Sequence, residues 1–372
     1  MKIGIVKEIK NNEKRVALPP ACVYELIQAG HEVYVETQAG AGSAISDEAY
    51  LAVGAIIKEN PADVWAQDLV MKVKEPLKEE YHFFREGLIL FTYLHLAANK
   101  AVAQALIEAK VTAIAYENVQ LDNGGLPLLA PMSEIAGRMA VQIGAQFLEG
   151  PNEGKGILLA GVPGVRKGNV VVIGGGVSGT NAAQIAYGFG ANVTILDVNL
   201  HRLKELDAQF NGKVQTLLSN AFNIEKQLET ADLVIGAVLL PGRKAPTLVT
   251  RDMVKKMPKK SVIVDIAIDQ GGIFETSSFA TTHDQPTYIE EGVIHYAVAN
   301  MPGGVAQTAT YALSNTTLEY VRLIANSASF EKAIKANTAL YRGVNTYQGF
   351  VVNEGIAIDL DLPYKSLDAL LA

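Results

Sequence analysis

The sequence predicts an α/β protein with two doubly wound parallel sheets joined by long helices. Three observations predict it. Short apolar strand-like runs alternate with helix-like segments from end to end. One of those runs leads directly into a glycine-rich turn. The chain has 372 residues, more than one core normally holds at roughly 150 residues per domain, so two domains are expected.

In the first series the strand candidates are residues 2–6, 32–36, 55–58, 69–73, 88–94 and 111–116. Helix candidates at 20–29, 47–53, 61–67, 77–85 and 99–109 lie between them. The second series has strand candidates at 170–173, 193–197, 214–218, 232–237, 261–266 and 294–298, again with helices between. Strand-helix-strand crossovers are almost always right-handed and stack helices on both faces, which favours parallel sheets. Residues 132–149, rich in small side chains, open after Pro131 and end at Gly150-Pro151, as a long connecting helix would. A second long helix is expected over 305–325, and the tail holds another near 329–340. One helix leads into the second sheet and another leads away from it. The tail is therefore expected to return to the first domain, giving a discontinuous domain of 1–130 plus 307–372 around a second of 131–306.

Composition excludes several classes of function. Hydrophobic residues make up 49% and charged residues 19% of the chain, too apolar for intrinsic disorder. The net charge of −7 provides no basic field for nucleic acid or anionic lipid. The lone Cys22 can form no internal disulfide, and reads best as a small buried hydrophobe in a reducing compartment. Lys7 and Glu8 interrupt the apolar start, unlike a signal peptide, and no run reaches about 18 apolar residues. A cytoplasmic protein without membrane or nucleic-acid partners is the expectation. The histidines show no metal-ligand spacing, so no catalytic metal is expected, and neither a nucleophile elbow nor a P-loop is present.

The glycine turn carries the strongest chemical signal. The run 169–173 meets Gly174-Gly175-Gly176-Val177-Ser178-Gly179, and a helix-like segment over 180–187 follows. Gly174 permits the tight turn, Gly176 lets the backbone approach a pyrophosphate, and Gly179 permits close helix-strand packing. The helix N-terminus supplies amide donors and partial positive charge. The next strand ends at Asp197, about 20 residues beyond the middle glycine, where a carboxylate accepts hydrogen bonds from a ribose 2′-hydroxyl and repels a 2′-phosphate. Strand, turn, helix and acid together define a Rossmann-like site that favours NAD over NADP. Arg202 either lines the adenosine pocket or is a solvated helix charge.

Ligands bind beyond the carboxyl ends of strands in open parallel sheets. In the second series those positions hold Ser219, 237–239, Asp269 and Asn300-Met301. Asp269 follows the run VIVDIAID and serves either a site or a turn cap. In the first series they hold Arg15, Lys74 and His95. Each alone is commonly a solvated charge or a core histidine. Together, a guanidinium that grips carboxylates, a lysine point charge and an imidazole describe a site for a small anion that undergoes proton transfer.

These residues sit in long segments, MKIGIVKEIKNNEKRVALPP, VMKVKEP, FTYLHLA, APMSEIAGRMA, VVIGGGVSGTNAA, DIAIDQGG and VANMPG, and over essentially its whole length the chain resembles the alanine dehydrogenases and their transhydrogenase relatives. The resemblance implies that Arg15 and Lys74 bind pyruvate or L-alanine and that His95 and Asp269 handle protons. It further implies that NAD is lined by Ser133, Gly174, Gly176, Val177, Ser178, Gly179, Asp197, Arg202, Ser219, Val238, Leu239, Ile266, Ala267, Ile268, Asp269, Val298, Ala299, Asn300 and Met301. Residues 1–130 plus 307–372 would form the substrate domain and 131–306 the NAD domain. The implied reaction is NAD-dependent oxidative deamination of L-alanine to pyruvate and ammonium, or its reverse, by a homohexamer. Ser278 stands where such proteins often carry arginine, so no cofactor contact is implied there. The alternatives are a transhydrogenase-like hydride carrier and a non-catalytic NAD-binding protein.

Overall fold

The computed structural model describes residues 1–238 and 245–372. Within them the chain divides into two compact units, Met1–Met132 with Val305–Ala372, and Ser133–Gly304.

In the first unit, strands β1 (Lys2–Ile5), β2 (Glu32–Glu36), β3 (Ile56–Lys58), β4 (Leu69–Met71), β5 (Ile89–Thr92) and β6 (Thr112–Ala115) form parallel pairs in the order β6-β5-β4-β1-β2-β3. Except in the edge strand β3, their apolar runs are largely buried, as crossover helices on both faces require. The covering helices include α1 (Pro20–Gln28), α2 (Asp47–Ala52), α3 (Pro61–Trp65) and α4 (Lys100–Glu108). Proline at the first turn suits α1 and α3, and the Ser46 and Asn60 side chains cap α2 and α3. The expected helix over 77–85 is instead a 3-10 turn, Lys78–Phe83, which Glu80 ties down by accepting the Leu77 amide at 2.8 Å. Trp65 stacks on Phe83, and Val64, Trp65, Leu90, Leu94 and Leu106 belong to one buried cluster.

The long helix α5 (Ala130–Phe147) precedes the second unit's sheet. That sheet holds β7 (Asn169–Ile173), β8 (Asn192–Asp197), β9 (Gln215–Leu218), β10 (Leu233–Gly236), β11 (Val262–Asp265), β12 (Thr287–Glu290) and β13 (Val293–Tyr296), in the order β12-β13-β11-β10-β7-β8-β9. All pairings are parallel except that of β12 with β13. Helices α6 (Val177–Gly188), α7 (Leu200–Gln209), α8 (Ala221–Leu228) and α9 (Arg251–Lys255) complete the crossovers.

Helix α10 (Ala306–Asn326) belongs to the first unit, where Thr310 accepts the Val16 amide at 3.1 Å. The expected single helix near 329–340 is two, α11 (Phe330–Ala336) and α12 (Thr338–Gly343), because Asn337 adopts an extended conformation and caps the second through the Leu340 amide. The chain then forms β14 (Val344–Tyr347) and β15 (Phe350–Val351), and β14 pairs antiparallel with β6. Both sheets are thus mainly parallel with antiparallel pairing at one edge. Among the described residues no helix is long and apolar enough to cross a membrane.

Candidate active site

Strands β6, β5, β4 and β1 are neighbours and parallel, so the segments that leave their carboxyl ends emerge on one edge of the first sheet. Those segments carry Glu117, His95, Lys74 and Arg15 in turn. Arg15 is buried, and the two-pronged grip expected for a ligand carboxylate is made here to Glu13: Nε donates to Oε1 at 2.7 Å and Nη2 to Oε2 at 2.6 Å. Burial alone would raise the Glu13 carboxyl, but the bonded guanidinium holds it below its ordinary range. The remaining Arg15 nitrogen, Nη1, points at Met132 Sδ at 3.1 Å, a weak acceptor. Lys74 is half-buried, and its ammonium is pushed down by burial and by the neighbouring Arg15 charge.

His95 lies just beyond β5 with φ 49° and ψ 40°, a left-handed conformation uncommon for a residue with a side chain. Glu117 holds it there, its Oε1 accepting the His95 amide at 2.6 Å and the Leu94 amide at 3.1 Å. The imidazole stacks near Tyr93, whose buried hydroxyl donates to the Leu128 carbonyl at 2.6 Å. Glu75, next to Lys74, pairs with Lys10 and places its other oxygen 3.8 Å from His95 Nδ1. Burial opposes ionisation of Glu75, but His95, Lys10 and Lys74 together bring it down to about 2. Behind this edge, buried Lys72 bonds Glu80 at 2.7 Å and Glu8 at 3.2 Å. Glu8 also accepts the Val73 amide at 2.6 Å, fixing the segment that carries Lys74.

In the second unit the carboxyl ends of β9, β8, β7, β10, β11 and β13 likewise share one edge. Onto it open Ser219, Asp197, the turn 174–179, Val238, the 3-10 segment Ile266–Gln270 with Ala267, Ile268 and Asp269, and the segment Val298, Ala299, Asn300 and Met301. Leu239 lies outside the described residues. Gly174 has φ 104°, a conformation that side chains rarely adopt. A Cβ on Gly179 would lie 1.8 Å from the Gly174 carbonyl oxygen, whereas one on Gly176 would meet nothing within 4 Å. Gly179 is therefore demanded by packing, whereas the space over Gly176 is open. Gly176 is also the N-cap of α6, and no side chain caps that helix, so its first amides remain for an anion.

Asp197 is half-buried at the end of β8; Oδ2 accepts the Gly175 amide at 2.7 Å and Oδ1 the Asn199 amide at 2.8 Å. Arg202 is neither purely solvated nor loose: Nε donates to the Gly175 carbonyl at 2.8 Å and Nη2 to Thr180 Oγ1 at 2.8 Å, bracing the turn. Ser133 lies on α5, where a Cβ on Gly137 would stand 2.1 Å from the Ser178 carbonyl, so helix and turn touch backbone to backbone. Asp269 is exposed, and its Oδ2 lies 3.4 Å from the amide of Asn300, itself left-handed at φ 61°. The turn cap is its neighbour Asp265, which accepts the Ala267 and Ile273 amides at 3.2 Å each. Burial pushes Asp265 up to about 6. Among the described residues no group of three or more His, Cys, Asp or Glu side chains could hold a metal ion.

Four acidic residues escaped the sequence reading: Glu13, Glu75, Glu117 and Asp265. Two had a local signal, because Glu13 and Glu75 lie within two residues of Arg15 and Lys74. Glu117 and Asp265 act by capping backbone amides, which leaves no pattern in the chain.

An uncapped helix behind a glycine turn with an acid at the next strand end, together with a second sheet edge bearing two cations and an imidazole, defines a nucleotide-dependent oxidoreductase. Two family models match the chain, alanine dehydrogenase/PNT N-terminal domain over residues 4–136 and alanine dehydrogenase/PNT C-terminal domain over 140–354. The chain belongs to the alanine dehydrogenase/PNT family. It is 58% identical over 371 residues to alanine dehydrogenase 2 of Staphylococcus aureus (strain USA300), covering 100% of both chains. A solved L-alanine dehydrogenase matches with a TM-score of 0.94 at 50% identity, covering 97% of this chain and 99% of that one. The transhydrogenase from Sinorhizobium meliloti matches with a TM-score of 0.81 at 27% identity, covering 95% and 100%.

Proposed function

We propose that the chain catalyses the NAD-dependent oxidative deamination of L-alanine to pyruvate and ammonium, and the reverse reductive amination. The single observation that carries the reading is the gathering of Arg15, Lys74 and His95 on one sheet edge, in a chain 58% identical over its full length to a protein named alanine dehydrogenase 2. In the forward direction L-alanine, NAD⁺ and water give pyruvate, ammonium, NADH and one proton.

Bound NAD⁺ supplies the two-electron acceptor. The first unit, Met1–Met132 with Val305–Ala372, acts as the substrate domain. Arg15 and Lys74 bind the substrate carboxylate and the carbonyl side of the product, and a carboxylate outcompetes the thioether of Met132 for Arg15 Nη1. A lysine whose ammonium is already pushed down can respond to the charge that develops at the carbonyl oxygen. His95 takes the proton from the water that attacks the imine carbon, and Asp269 shares the transfers that convert the amino group into departing ammonia.

The second unit, Ser133–Gly304, acts as the NAD domain. The first amides of α6, at Val177 and Ser178, would hold the pyrophosphate beside Gly176, and Asp197 would accept from the adenosine ribose and disfavour a 2′-phosphate. Arg202 supports this site by holding the turn, while Ser133, Ser219, Val238, Ile266, Ala267, Ile268, Val298, Ala299, Asn300 and Met301 line the remainder. Leu239 completes the same assignment on sequence grounds alone. We further propose a cytoplasmic homohexamer.

The test is the appearance of NADH absorbance with purified protein, NAD⁺ and a panel of L-alanine, serine, glycine and lactate, repeated with NADP⁺. A strong signal dependent on alanine and NAD⁺ is expected. Undiminished NAD⁺ binding without turnover points instead to hydride carriage or to sensing. His95→Ala should collapse turnover and leave NAD⁺ affinity nearly intact; unchanged turnover removes His95 from the mechanism.

A further inference from the structure

We infer that Glu75 is the positioning residue for His95: its inner carboxylate oxygen holds the ring with Nδ1 protonated and leaves Nε2 to exchange the reaction's proton. The inference rests on the role proposed above for His95.

The geometry points one way. Glu75 Oε1 is occupied by Lys10, but Oε2 is buried and has no hydrogen-bond partner. A buried carboxylate oxygen without a donor is costly, so the nearest donor is under pressure to satisfy it. His95 Nδ1 lies 3.8 Å away, longer than a hydrogen bond and within reach of a small ring movement. The backbone and one face of the ring have other neighbours. Glu117 fixes the His95 backbone in the left-handed conformation, and Tyr93 stacks 6.0 Å from ring centre to ring centre. The imidazole is 48% exposed while Glu75 is 12% exposed, so the carboxylate lies deeper than the ring it faces.

A carboxylate on Nδ1 selects the Nδ1–H tautomer, leaving the Nε2 lone pair as the base, and stabilises the imidazolium formed when that base takes a proton. The charged and titratable groups around the ring are Glu75, Lys10 and Lys74 acting on Glu75, Tyr93 beneath, and Glu117 on the backbone. Lys10 and Lys74 keep Glu75 ionised throughout the range in which an imidazole titrates.

The test is histidine nuclear magnetic resonance on the isotope-labelled full chain, with the His95 signal assigned by its loss in His95→Asn. In the wild type the neutral ring should be the Nδ1–H tautomer. The Nε2–H tautomer overturns the proposal without any variant. In Glu75→Gln the His95 protonation midpoint should fall by about half a pH unit or more, and the acidic limb of kcat/KM should fall with it. The same variant should lose roughly tenfold or more in kcat with KM for NAD⁺ unchanged. Glu75→Asp, which keeps the charge, should recover most of the midpoint. A folded Glu75→Gln whose midpoint does not move overturns the proposal even if its activity drops. Wild-type turnover by His95→Asn sinks the catalytic role of His95 separately, whatever the resonances show.

Discussion

The Arg15 guanidinium is bound on two of its nitrogens by the carboxylate of Glu13, two residues earlier in the chain, with both side chains 1% exposed. An arginine held on one side by a fixed carboxylate presents its remaining edge in a set direction. Local sequence therefore aims the cation before any ligand arrives.

Removing the charge from this pair takes a doubly bonded counter-charge away from a buried guanidinium. Glu13→Gln should destabilise the protein by about 3 kcal/mol, the usual cost of breaking a buried ion pair from one side. The midpoint of urea unfolding should drop accordingly, and KM for L-alanine should rise while KM for NAD⁺ stays put. An unmoved unfolding midpoint shows that the pair does not anchor Arg15.

Gly176 and Gly179 separate binding from packing. Gly176→Ala places a methyl in open space at ordinary φ, so its thermal midpoint should stay near that of the wild type while NAD⁺ binding weakens by about tenfold or more. Gly179→Ala drives a Cβ to 1.8 Å from the Gly174 carbonyl and should lower the thermal midpoint outright. Calorimetry of both variants with and without NAD⁺ distinguishes the two roles, and equal loss of fold in both contradicts the assignment.

Asp197 does two jobs, since it braces Gly175 and is the acid expected beside the ribose. Asp197→Ala should raise KM for NAD⁺ by roughly ten- to a hundredfold, the worth of a charge-assisted hydrogen bond. It should also narrow the preference over NADP⁺ by removing the repulsion. Steady-state kinetics with both cofactors reads this, and an unchanged preference assigns the selectivity elsewhere.

Asp265 gives a pH dependence of defined sign. Its folded value of about 6 lies above the ordinary aspartate value of about 3.9. The folded state thus binds more protons in that window, and the contribution of Asp265 to stability falls as pH rises through it. Relative to the non-titrating Asp265→Asn, the wild type should lose about 2 kcal/mol between pH 4.5 and 7. Urea unfolding of both proteins at the two pH values measures it; a constant difference refutes the raised value.

The parallel strands and the glycine turn were legible because each is written locally, as an apolar run or as a glycine that no other residue can replace. Arg15, Lys74 and His95 were found because strand ends follow directly from strands. Strands β12 (TYIE) and β14 (VNTY) went unread because polar residues interrupt any apolar run, and β15 because it has only two residues; pairing with β13, β6 and β14 respectively makes them strands. The same is true of the supporting acids. Glu117 matters because β6 delivers it beside the end of β5, 22 residues away from His95 in sequence. No window along the chain contains that relationship.

The antiparallel pairing of β14 with β6 has a consequence for biosynthesis. Until residues 344–347 leave the ribosome, β6 offers an open row of amides and carbonyls, and the whole segment Ser133–Gly304 is synthesised during that wait. The inserted unit can mature while its host is unfinished. A nascent chain stalled after Gly304 would carry one complete sheet beside a β6 edge still waiting for its antiparallel partner.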